Sequence, residues 1–180
     1  MEVVDLSSEI AAKAASTADS ALAAQAHTGP TFMVLTFELD SQRFAIPIHT
    51  VQEVIDPLDL TLVPNADPFA PGLINVRGTV VPVLSLQNRL GITARDHDEE
   101  TRFIVIETTI IGEMTRFAIV ADSVHEVVEF QERVLHASPT LGLDWPSDYI
   151  DGIINRDDTL TILINTQRIF SPDPFAPGLE

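Results

Sequence analysis

The chain contains no cysteine at all. That excludes disulfides, thiolate nucleophiles and cysteine-based zinc sites together, and it fits a reducing compartment. Positive charge is nearly as scarce. Ten basic residues stand against 27 acidic ones, Lys13 is the sole lysine, and the formal net charge is −17. A field of that sign repels phosphate backbones, so nucleic acid and anionic membrane surfaces are poor partners. No apolar run approaches a membrane span, and the N-terminus, MEVVDLSSEI, lacks the basic-then-apolar order of a secretion signal. The expectation is a soluble, cytoplasmic protein with no direct membrane insertion.

The vocabulary of catalysis is missing too. His27, His49, His97, His125 and His136 show no metal-ligand spacing, and the chain carries no HExxH, GxSxG, P-loop or GxGxxG. The carboxylates Asp96, Asp98, Glu99 and Glu100 read as a solvated loop. No enzyme, cofactor or metal site is expected. A small-molecule-binding β-barrel stays open only through a concave site assembled from distant residues.

What is present is apolar and short-ranged. Hydrophobic residues make up 45% of 180, enough for a packed core in one ordinary domain or two very small ones. Residues 1–30 form an N-terminal extension of different character. Residues 8–26 are alanine-rich, with Ser8 as N-cap, Glu9 in the first turn and Gly29-Pro30 as a stop. Ile10 and Leu22 are too few to make a core-facing stripe, so the extension is helical or disordered, and is either solvated or docked on a partner. From Thr31, where Leu35, Phe37 and Leu39 alternate with polar residues, strand signals recur at 51–55, 73–76, 79–84, 102–108, 115–120, 124–128, 150–155 and 159–164. Pro47 and Pro82 place their strands at an edge or a bulge. Short helices are expected at 87–90 and 166–170.

An internal repeat constrains the fold further. RFAIPIHTVQEVID from Arg43 matches RFAIVADSVHEVVE from Arg116, and GLINVRGTVVPVL from Gly72 matches GIINRDDTLTILI from Gly152. Two copies of one β unit, in the same order, predict two small barrels related by a pseudo-twofold axis. Where the first copy has Arg77-Gly78, the second has Asp157-Asp158. Both are turn chemistry between apolar strands, which puts Arg77 at a hairpin tip in water. The arginine there is either a solubilising turn residue or an interface anchor.

Several stretches together resemble the CheW family: VQEVI from Val51, VPN from Val63, PGLINVRGTVVPVLSL from Pro71, FAIVADSVHEVVE from Phe117 and YIDGIINRDDTLTILINTQRIF from Tyr149. The similarity runs through residues 31–170, leaving 171–180 as a tail. The resemblance implies an all-β fold of two intertwined five-stranded SH3-like barrels with minor short helices. It implies a scaffold without catalytic activity, acting in a chemosensory array beneath membrane receptors. The implied partners are the regulatory domain of a CheA-type histidine kinase, the cytoplasmic tips of chemoreceptors, and CheW-like homologues in array rings. A pathway driving pilus-based motility is the alternative setting. The family's kinase and receptor contacts fall on Val51, Gln52, Glu53 and Val54, and on Asn75, Arg77, Gly78 and Val80. Val124 and Val127 are further candidates for a receptor groove between the barrels. Val54 and Val80 are open between core and interface. Two departures stand out: Pro71 replaces a common lysine, and Ser123 a frequent glycine.

One motif stays outside this pattern. DPFAPGL occurs at 67–73 and again at 173–179. The terminal Leu-Glu is also a pair that a vector contributes, so the second copy is either an acquired tail or a mimic competing with the loop before the hairpin.

Overall fold

Two six-stranded sheets carry the fold, and neither is built from one continuous segment. The computed structural model describes residues 30–131, 135–136, 145–156 and 159–171. The N-terminal extension expected to be helical or disordered, up to residue 29, the Asp157-Asp158 turn and the second DPFAPGL copy lie outside them. The strands are β1 (Thr31–Leu39), β2 (Gln42–Pro47), β3 (Val51–Ile55), β4 (Thr61–Leu62), β5 (Gly72–Val76) and β6 (Thr79–Leu84). In the second half come β7 (Arg102–Ile110), β8 (Glu113–Ala121), β9 (Ser123–Gln131), β10 (Leu135–His136), β11 (Ile150–Arg156) and β12 (Thr159–Ile164). Two short helices, α1 (Leu86–Leu90) and α2 (Thr166–Ile169), follow β6 and β12.

One sheet runs β10-β11-β12-β2-β1-β9 and the other β4-β5-β6-β8-β7-β3. The two orders correspond strand for strand. Each hairpin that opens a repeat, β1–β2 or β7–β8, has left its own copy and joined the sheet of the other. The exchange happens inside the 14-residue repeat: β2 ends at Pro47, a 3-10 turn at Ile48–Thr50 intervenes, and β3 starts in the opposite sheet. In the second copy Asp122 alone separates β8 from β9, which lie in different sheets. The expected intertwined barrels are therefore present. Each has five strands of at least five residues, plus a two-residue strand, β4 or β10.

The exchange explains why β1 and β7 are buried on both faces. Leu35, Phe37 and Leu39 of β1 meet Ile104, Ile106 and Phe117 in a core shared by the two sheets, which α1 and α2 extend through Leu86, Leu90 and Ile169. Val34 points the other way, into the interior of its own barrel with Ala45, Val128 and Leu163. Phe103 and Val105 of β7 do the same in the second barrel, with Ile74, Val81 and Val83. Alternation within one strand thus feeds two cores, and both must be apolar.

The prolines correct one expectation. Neither β2 nor β6 is an edge strand. The parallel ladder from β2 to β12 ends at Ala45, and the one from β6 to β8 begins at Val83. Pro47 and Pro82 sit just outside those ladders, so no donor is missed there.

Candidate protein-interaction site

The β5–β6 hairpin is the most constrained piece of this surface. Its loop has two residues, Arg77 at φ 50° and Gly78 at φ 88°, the double left-handed geometry of a type I′ turn. Asn75 Oδ1 accepts a hydrogen bond from the Gly78 N–H at 2.7 Å and closes the turn. A Cβ at position 78 would meet nothing within 4 Å, so glycine is favoured there by its φ alone. Arg77 has no such freedom. Holding a non-glycine residue in this region costs roughly 1–2 kcal/mol, which the surrounding hairpin must offset.

Opposite the hairpin lies β3. A register slip against β7 between Val51 and Glu53 leaves Gln52 exposed and turns Glu53 toward the hairpin. Glu53 Oε2 lies 2.9 Å from Arg77 Nη2, and its Oε1 accepts a hydrogen bond from Arg116 Nη2 at 3.3 Å. The Glu53 side chain is only 19% exposed, whereas that of Arg77 is 82% exposed. A carboxylate so withdrawn from water needs its charge compensated, and two guanidiniums do so. The trio carries one net positive charge, and most of the Arg77 guanidinium faces solvent. In a strongly acidic chain this is a cation presented outward on a rigid stem.

Apolar surface surrounds the trio. Val54 is 39% and Val80 64% exposed, so both are surface residues rather than core. A concavity of about 480 Å³ runs between β3 and the hairpin, lined by Val54, Leu58, Asn75, Arg77 and Arg102. A second, of about 440 Å³, lies between the sheets, where edge strands β3 and β9 approach; Val54, Arg102, Val124 and His125 line it with Glu38 and Glu99. Val54 and Arg102 border both, making one strip from the hairpin into the inter-barrel groove.

Not every residue expected here reaches this surface. Val51 and Val124 are half-buried and pack on the shared core, although Val124 also borders the groove. Val127 is exposed on β9 but does not line the groove. Arg116, Arg102 and Leu58 were not anticipated. Arg116 carried a signal, as the first residue of the second RFAI copy; Arg102 and Leu58 carried none, because their place depends on the exchange of hairpins. Ser123 opens β9, and its Oγ donates to Glu38 Oε2 at 3.3 Å. Pro71 offers its carbonyl to the Val63 N–H at 3.1 Å. Among the described residues no helix is long and apolar enough to cross a membrane, and no three His, Asp or Glu side chains cluster to hold a metal.

The family profile described as "CheW-like domain" matches residues 33–173. This chain belongs to the CheW family. A probable chemotaxis protein CheW from Rhizobium etli is 24% identical over 138 residues, 77% of this chain and 86% of that protein. The chemotaxis protein CheW of Bacillus subtilis is 26% identical over 153 residues, 84% of this chain and 94% of its own length. Among solved structures, the scaffolding protein TtCheW from Thermoanaerobacter tengcongensis superposes with a TM-score of 0.70 at 28% identity. That match covers 82% of this chain and 93% of TtCheW. In this CheW-family chain the two motif segments, Val51 to Val54 and Asn75 to Gly78, face each other across a single ion-pair cluster.

Proposed function

We propose that the chain is a non-catalytic chemotaxis adaptor that couples chemoreceptors to a CheA-type histidine kinase, with residues 31–170 as the adaptor, 1–30 an extension and 171–180 a tail. The observation that carries this reading is Arg77, anchored by Glu53 at 2.9 Å yet left 82% exposed beside Val54 and Val80. Arginine on a stiff turn beside apolar side chains is a common anchor of protein interfaces, because its fork bonds acceptors while its plane packs. The kinase's regulatory domain is assigned to the hairpin and β3. The receptor tip, a helical hairpin, is assigned to the groove bordered by Val54 and Val124. CheW-like homologues complete rings in arrays held beneath membrane receptors, and no cofactor takes part.

The test is calorimetric titration with the regulatory domain of the cognate kinase, comparing wild type with Arg77→Ala. Saturable binding that weakens at least tenfold in the variant supports the reading. Equal binding by both removes Arg77 from the kinase contact. A folded wild type that binds neither kinase nor receptor tip overturns it.

A further inference from the structure

A groove of about 990 Å³ lies on another part of the molecule; the half-buried Phe69, Pro82, Leu84 and Tyr149 present its apolar surface, Ile111 rims it, and the core residues Phe117 and Phe170 lie buried beneath. Ile111 is 77% exposed and has φ 49°, a region that β-branched residues rarely occupy. Ile111 and Gly112, at φ 79°, form the two-residue turn of the β7–β8 hairpin, which holds this apolar side chain outward at the rim.

The first DPFAPGL copy forms one side of this groove and shows how the sequence is held. Asp67 Oδ1 accepts from the Phe69 N–H, and the Asp67 carbonyl accepts from the Ala70 N–H, both at 2.8 Å. The Ser85 N–H donates to the Phe69 carbonyl at 2.7 Å, and the Asn88 side chain donates to the Pro68 carbonyl. The Arg89 guanidinium stacks 3.8 Å from the centre of the Phe69 ring. The same guanidinium donates from Nη2 to the Ser171 carbonyl at 2.7 Å. Ser171 lies two residues before the second copy, 173–179. One arginine therefore holds both the internal copy and the root of the duplicate.

We propose that this groove is a binding site for the duplicated heptapeptide, with the chain's own C-terminal copy as its resident ligand. From Ser171 to Phe175 the chain can span about 14 Å, enough to carry a phenylalanine from Arg89 onto the apolar wall. Two prolines limit the freedom that binding removes. The proposal is independent of the coupling role.

The probe is a labelled synthetic peptide, SPDPFAPGL, titrated into the full chain and followed by fluorescence anisotropy. A tethered tail acts at an effective concentration on the order of 1 mM, so for a free-peptide Kd near ~100 μM it masks the site about tenfold. Phe175→Ser, which empties the groove without touching the folded barrels, is expected to bind the peptide about tenfold more tightly than wild type. Adding Ile111→Asn, which relieves the backbone strain and makes the rim polar, is expected to remove that binding. Equal affinity of wild type and Phe175→Ser, or no binding by Phe175→Ser, overturns the proposal. So does concentration-dependent dimerisation of wild type that Phe175→Ser abolishes, because the tail then occupies a neighbour's groove.

Discussion

Arg77 and Glu53 meet at 2.9 Å between the tip of the β5–β6 hairpin and strand β3, and they share the contact unequally. The arginine is mostly in water and the glutamate mostly out of it. Their substitutions should therefore differ in kind.

Arg77→Ala removes an exposed partner and leaves the backbone strain at this position unchanged, because alanine keeps the Cβ. Exposed ion pairs contribute about 0–1 kcal/mol, so the melting temperature should move by no more than a few degrees. Thermal unfolding by circular dichroism checks this, and a larger drop would make the arginine structural.

Glu53→Ala should cost more, about 1–3 kcal/mol, because it removes the mostly buried carboxylate that both Arg77 and the half-exposed Arg116 share. Urea denaturation gives the difference. A cycle with Arg116→Ala should show coupling, since the two groups share one contact.

Phe117 is fully buried in the core between the sheets, its ring 4.6 Å from that of Phe170. Phe117→Ala should cost roughly 3–5 kcal/mol. Both barrels share this core, so Trp145 fluorescence and far-ultraviolet dichroism should report one coincident transition. Separate transitions would mean that the barrels unfold independently.

Gly72 and Gly78 resist substitution for different reasons. A Cβ at Gly72 would lie 2.4 Å from the Thr61 carbonyl oxygen, so any side chain must push β4 off β5. At Gly78 only the positive φ objects, and Gly78→Asn should be tolerated where Gly78→Val is not. Amide exchange at Leu62 and Leu73 should accelerate in Gly72→Ala and remain unchanged in Gly78→Asn.

Asp98 supplies a pH signature. The Glu100 N–H donates to its carboxylate and is the main cause of a pKa held below 3.8; desolvation opposes it, and the hydroxyl and N–H of Thr101, with the charge of Arg95, lower it further. A lowered folded-state pKa stabilises the fold above the unfolded value. That contribution fades as pH falls below 3.8 through the folded value. Asp98→Asn keeps the acceptor but not the charge, so its stability deficit at neutral pH should vanish below that window. A deficit constant from neutral to strongly acidic pH would assign the loop's effect to shape alone.

Much of this was legible in the chain itself. The RFAI repeat and the GLIN and GIIN pair announced two copies of one unit, and the strand signals over 51–55, 79–84 and 159–164 became β3, β6 and β12 with the same limits. Local chemistry suffices there, because turn residues and alternation act over a few neighbours. The Arg77-Gly78 turn was legible for the same reason, although not that the arginine itself would take a positive φ. The inward or outward fate of Val54 and Val80 was not legible, since edge and core strands use the same valines.

What only the tertiary structure decided is which copy each hairpin joins. The repeat is equally consistent with two separate barrels and with two exchanged ones, because each strand's pattern is satisfied either way. Exchange buries β1 and β7 on both faces in a shared core. It also carries Arg116 from the second copy to the first copy's Glu53. The sequence by itself determined the longer strands, the Arg77-Gly78 turn and the presence of two like units. The meeting of Glu53 with Arg77 and Arg116 depended on long-range packing, which no local pattern encodes.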